Sequence, residues 1–168
     1  MKARLLLFSM LWFLASLSLS SACARADELV YKNSRFGTEM WIPTELFTTI
    51  GATPFNGDGI TLENGNGAEL RIFGSHLVLA DNAQEMLAIH VEWREEDGDT
   101  VTYARAGRDW FVISGLEGGS IFYERHEIVD QIVHSATLLY PKEDKHNFAA
   151  LVETLADRLG VVGSVSQP

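Results

Sequence analysis

Only one cysteine, Cys23, and four prolines occur in the 168 residues. A single thiol excludes an intrachain disulfide framework and every multi-cysteine zinc motif. Basic residues are scarce, with 13 Lys and Arg against 23 Asp and Glu. That balance offers no footprint for a polyanion, so nucleic-acid binding is excluded as a function class. The longest apolar run, Leu5 to Leu19, has 15 residues, short of the roughly 18 that mark a membrane-spanning helix. What remains is ordinary: 46% hydrophobic and 21% charged residues, the composition of a globular domain. A chain of this length buries roughly 68–70% of its unfolded surface and needs no metal or disulfide to fold.

The amino terminus has its own logic. Lys2 and Arg4 precede the apolar run, and Ala24-Arg25-Ala26 follows it with small residues where a signal peptidase reads. This is the layout of a cleaved export signal. The expected division is a signal peptide at 1–26, cleaved between Ala26 and Asp27, one α+β domain at 27–160, and a loose tail at 161–168. Cleavage removes three basic residues and no acidic one, so the net charge moves from −10 to −13. It also discards the only thiol. Ser21-Ala22-Cys23 supplies an alternative ending, because lipoprotein signals place a small residue before a cysteine that becomes lipidated. Ser20 departs from the leucine-containing form of that signal. The expected location is periplasmic or secreted, without a membrane span after cleavage, and with a lipid tether at Cys23 as the alternative.

Hydropathy patterning along the rest of the chain predicts an alternation of strands with two helices. Tyr31 to Ile42 is β-like, and Pro43 to Phe47 suits a single helical turn with proline early, where its missing donor does no harm. Ile60–Glu63 and Ala68–Phe73 flank Asn64-Gly65-Asn66-Gly67, a pairing that accepts the positive φ angles of a tight hairpin. Asp81 with Gln84 reads as a capping box, followed by Ala83, Met86, Leu87, His90 and Val91 at helical spacing to about Arg94. Strands are expected at Thr100–Ala106, Asp109–Gly115, Ser120–Val129 and Ile132–Tyr140. Phe148, Leu151, Val152, Leu155 and Leu159 form one apolar helical stripe, with Gly160 at the place of a C-cap glycine. The order β-β-β-β-α-β-β-β-β-α with short connections implies an α+β fold. Its sheet is mainly antiparallel, with about six to eight strands, and is covered by two main helices.

Tyr31, Phe36-Gly37, Ile42-Pro43 and Phe47, in that spacing, resemble the opening of PsbP-like or Mog-type domains. The element order and closing helix are similar as well. Asp109-Trp110-Phe111-Val112 and Ile121-Phe122-Tyr123-Glu124-Arg125 look like segments of secreted bacterial proteins. The resemblance spans about Tyr31 to Gly160. It implies a role in protein binding or assembly, and it carries no catalytic residues over.

None of the five histidines pairs at i, i+4 with the glutamate of a zinc-protease helix. In the strand from Ile121, alternation puts Glu124 and His126 on one face, and His134 can meet them across a turn near Asp130-Gln131. Two imidazoles and a carboxylate suit zinc or copper with open positions. The plainer reading makes all three half-exposed residues of a polar sheet face. Ser75 and His76 are adjacent in a strand and point to opposite faces, which excludes a dyad. Glu124 and Glu127 likewise diverge, unlike a glycosidase pair. Glu95–Asp99 lacks the alternating ligand spacing of a calcium loop and reads as a solvated connection, at most a weak calcium site. Gly115–Ser120 joins two strands and opens no helix, so it is a turn and not a phosphate cradle.

Of the tryptophans beyond the signal, Trp93 is expected in the core. Trp110 has two readings: a core residue, or an outward anchor beside Arg105 or Arg108, a combination enriched at binding hot spots. The expectation for the whole is a non-enzymatic binding or assembly module without a cofactor, its partner another envelope protein. Its negative charge favours basic partners. The alternative is a metal-binding protein or small enzyme using His126, His134 and Glu124.

Overall fold

A computed structural model describes residues 28–162. The expected export signal at 1–26, Cys23, the Ala26–Asp27 junction and residues 163–168 lie outside the described residues. The strands are β1 (Glu28–Lys32), β2 (Thr38–Pro43), β3 (Thr49–Ile50), β4 (Gly59–Glu63), β5 (Glu69–His76), β6 (Thr100–Ala106), β7 (Trp110–Glu117), β8 (Ser120–Val129), β9 (Ile132–Pro141) and β10 (Leu159–Val161). Among the described residues two α-helices are present, α1 (Ala83–Glu96) between β5 and β6, and α2 (Lys145–Arg158) between β9 and β10. The main sheet is antiparallel with seven strands in the order β3-β4-β5-β9-β8-β7-β6, and a smaller sheet is ordered β1-β2-β10. The α+β class, the antiparallel sheet and the two covering helices all agree with the sequence expectation.

Local chemistry accounts for the elements. In the β4–β5 hairpin, Gly65 and Gly67 take φ of 75° and 91°. The Asn64 side chain accepts from the backbone N–H of Asn66 and Ala68, so the loop closes on its own side chain. Helix α1 is capped one residue later than the sequence suggested. Asn82 accepts from the Glu85 N–H at 3.0 Å, while the Glu85 carboxylate accepts from the Asp81 N–H at 2.9 Å. Asn82 is the cap, and the Glu85 carboxylate reaches back past it to the Asp81 N–H, closing the first turn from both sides. Pro43 ends β2, and Thr44, Glu45 and Leu46 form a turn and no helix.

At the other end of the chain, α2 stops at Arg158 because Leu159 turns extended, with φ −83° and ψ 127°. Gly160 is therefore a strand residue opposite Glu39 rather than a helix cap. Val161, expected in the loose tail, pairs with Thr38.

Each face of the main sheet has its own core. On one side, Ala83, Met86 and Leu87 of α1 pack on Phe111, Ile113, Phe122 and Val133. On the other, Phe148, Leu151 and Leu155 of α2 join Met40 and Ile42 of β2 against Leu70, Ile72, Ala136 and Leu138. Each fully buried side chain of this size contributes roughly 1.5–3 kcal/mol. The small sheet docks closely because Gly74 has no side chain: a Cβ there would overlap Phe36 and Thr38. Beside Gly74, the His134 Nδ1 lies 2.9 Å from the Thr38 hydroxyl, a buried bond joining the two sheets. Trp93, expected in the core, is 45% exposed, because the apolar stripe of α1 runs through Ala83, Met86 and Leu87 and the ring falls beside it.

Candidate functional site

The β8–β9 hairpin turns on two residues, Asp130 and Gln131, with φ of 50° and 63°. Val129 therefore pairs with Ile132, and counting back sets His126 opposite Ser135 and Glu127 opposite His134. This register decides which histidine joins the site. His126 and Glu124 point toward α1. His134 points to the other face and bonds Thr38. The sequence expectation of a His126–His134–Glu124 group thus meets a one-residue offset, which in a strand moves a side chain to the opposite face.

Another histidine takes the vacant place. His90 comes down from α1, and its Nδ1 lies 3.2 Å from Glu124 Oε2. His126 Nε2 approaches the same oxygen at 3.1 Å. One turn further along α1, Arg94 holds the second carboxylate oxygen with Nε at 2.8 Å and Nη2 at 2.5 Å. With both imidazoles donating, all four acceptor directions of the carboxylate are in use. Arg94 Nη1 also reaches Asp99 at 2.8 Å and Glu117 at 2.9 Å, and its guanidinium lies 4.1 Å over the Phe122 ring. Phe111 stacks on His126 at 4.2 Å between ring centroids. The far nitrogen of His126, Nδ1, bonds the Ser135 hydroxyl at 2.8 Å.

Burial sets the electrostatics. It pushes the Glu124 carboxyl up, but the hydrogen bonds from His126 and His90 and the charge of Arg94 outweigh it. Glu124 is held well below the usual carboxylate range and is ionised. Burial pushes the His126 imidazole down, and the bond to Glu124 only partly offsets this. Burial alone pushes His134 down. Both of these histidines are neutral at pH 7.

Beside the cluster lies a cleft of about 230 Å³, lined in part by Arg71, Phe73, Trp93 and Thr137, with Glu124 and His126 at its wall. Ser135, His126 and Glu124 form a serine–histidine–carboxylate chain, but in reverse order. The serine sits on Nδ1 and the acid on Nε2, whereas a hydrolytic triad puts the serine on Nε2. Ser135 and His126 are each 1% exposed, so a substrate carbonyl has no approach to the hydroxyl.

A second grouping lies on the opposite face of the sheet, on β6, β7 and the far half of β8, beyond Ile121 and Tyr123, which pack with α2. Trp110 is half-buried there. Arg125 lies 4.3 Å and Arg105 5.9 Å from its ring centroid. Val112 beneath them is buried. Of the expected arginine neighbours, Arg105 is in place. Arg108 is not: its side chain is 92% exposed and pairs with Asp109. Arg125 takes its role because it pairs with Val112, next to Trp110 on the same face. Tyr103, 49% exposed, continues this surface into a groove of about 330 Å³ that runs to Tyr123, Tyr140 and Val152.

Sequence reasoning missed His90 and Arg94 as site residues. Their signal was present, since they are four apart and His90 sits on the buried stripe of α1. Without the register of β8 nothing said what lay beneath.

The architecture is a PsbP-like α+β sandwich. The chain is similar to the solution structure of cyanobacterial PsbP (CyanoP) from Synechocystis sp. PCC 6803. The TM-score is 0.58 at 16% identity, over 86% of this chain and 98% of that one. No protein-family model and no curated protein matches the chain.

Proposed function

We propose that this protein is an exported, non-enzymatic binding or assembly module of the bacterial envelope, engaging a partner protein through the Trp110 face of β6–β8. The carrying observation is Trp110, half-buried beside the guanidinium groups of Arg105 and Arg125, 5.9 Å and 4.3 Å from its ring centroid, on the β6–β7 side of the sheet face that α2 shares. Tryptophan and arginine dominate binding hot spots because a flat ring and a planar fork bury large areas at small entropic cost. The PsbP-like fold supports the reading as an analogy of architecture. Among the described residues no helix is long and apolar enough to cross a membrane. An overall charge of −10, or −13 without residues 1–26, steers it toward partners with a basic surface.

Native capture from the envelope fraction across a salt series tests the interface. The wild-type protein retains a reproducible partner, and Trp110→Ala with Arg105→Glu releases it at least tenfold more readily, with an unchanged unfolding midpoint. Equal retention by the variant, or no reproducible partner at any salt, removes the proposed surface.

The location rests on the sequence. The mass of the mature amino terminus is expected to correspond to Asp27 as first residue. A diacylated Cys23 would instead make the protein a tethered lipoprotein, and an intact Met1 would contradict export altogether.

A further inference from the structure

We infer that His90, Glu124 and His126 form a binding site for one zinc-class divalent cation, open on its fourth side to the cleft beneath Trp93. This site is independent of the partner surface, which lies across the sheet.

Geometry comes first. One ligand atom from each residue lies within 4.8 Å of the other two. Two of the three separations, 3.2 Å and 3.1 Å from Glu124 Oε2 to His90 Nδ1 and His126 Nε2, are close to a tetrahedral edge. Zinc bonds of roughly 2.0–2.1 Å place tetrahedral ligands about 3.3 Å apart. Small rotations of His90, the one partly exposed member at 17%, bring in the remaining edge. Two imidazoles and one carboxylate with a free fourth position are a ligand set that zinc accepts.

The outer contacts also fit a metal. Ser135 stands behind His126 Nδ1 at 2.8 Å, and Arg94 stands behind Glu124 Oε1. Ligating histidines and carboxylates are oriented by bonds of this kind on their far atoms. Without metal, His90 Nδ1–H and His126 Nε2–H donate to Glu124, and the Ser135 hydroxyl donates to His126 Nδ1. When the cation enters, it takes the place of the two imidazole protons at the centre. The His90 proton moves to Nε2. The His126 proton moves to Nδ1, where Ser135 reverses its role and accepts. Each ring then carries its proton on the nitrogen away from the cation.

Charge completes the case. Arg94 is one positive group among three carboxylates, Asp99, Glu117 and Glu124. The three carboxylates outnumber the one guanidinium, an excess of negative charge that a divalent ion offsets. The presence of Arg94 thus does not repel the cation from the site as a whole. A small anion or a water completes the coordination from the cleft, where Arg71 is the next basic group.

The test uses the full mature chain, purified without a histidine tag and stripped by chelator, then titrated with zinc alone. One equivalent is expected to bind. His90→Ala is expected to weaken binding at least 100-fold, whereas His146→Ala, an exposed histidine on α2, leaves it unchanged. Because His90 also supports Glu124, a second measurement on the wild type guards against misfolding of the variant. Cobalt added in place of zinc should show the intense visible absorption of a four-coordinate ion. Zinc affinity that is indifferent to His90→Ala, no stoichiometric binding, or a weak six-coordinate cobalt spectrum would each overturn the site.

Discussion

Arg94→Met is expected to destabilise the protein by about 3–5 kcal/mol, the cost typical of leaving one member of a buried ion pair alone. Arg94 supplies two of the four hydrogen bonds to Glu124 and is the shared partner of Asp99 and Glu117. Its loss leaves three carboxylates facing one another, one of them only 4% exposed. For a domain of this size the thermal midpoint falls by roughly 10 °C or more. Glu124→Leu in the same background is expected to restore a large part of the loss, because it removes the buried charge together with its need for a partner. Urea unfolding of the two single variants and the double variant, with chelator present, measures the coupling. A loss below about 1 kcal/mol for Arg94→Met would place the group in the energetic class of surface pairs and contradict the burial seen at Glu124.

Acid is expected to act in two stages. His126 and His134 are held neutral by burial, so their folded pKa values lie below the unfolded value. In the window from about pH 6.5 down to the folded values, the unfolded chain binds more protons, and stability falls as the pH falls. Each histidine adds a slope of up to about 1.4 kcal/mol per pH unit in that window. Glu124 acts lower. Its folded pKa is depressed, so its contribution is complete above the unfolded value near 4.5 and is lost as pH falls through the folded one. Stability measured by urea at pH 8, 6 and 5 should therefore decline well before the carboxylates titrate. His134→Asn, which keeps a polar partner for Thr38 without a titrating ring, should flatten the upper stage by about half. A profile level from pH 8 to pH 5 would mean that neither imidazole is held neutral by burial.

Most of the architecture was legible in the residues themselves. The Asn64–Gly67 turn, the apolar stripe from Phe148 to Leu155 and the short connections between Thr100 and Tyr140 are local signals, each acting over a few residues. Period-two alternation also separated Glu124 and His126 from Arg125 and Glu127 correctly. The failures share a physical cause. Asn82 took the cap in place of Asp81, a competition of neighbours that propensity does not rank. Leu159–Val161 became a strand only because the edge of β2 was free to pair with it.

The chain alone determined the two-helix antiparallel sandwich, because hydrophobic periodicity and turn chemistry are written residue by residue. It also determined which side of β8 the carboxylate and His126 would share. Tertiary structure decided the third member. A two-residue hairpin sent His134 to the Thr38 side, and the packing of α1 brought His90 and Arg94 onto Glu124 from more than 25 residues away. Side chains converge on one point only after helix and sheet have buried their apolar faces against each other, and no local pattern records where that contact falls.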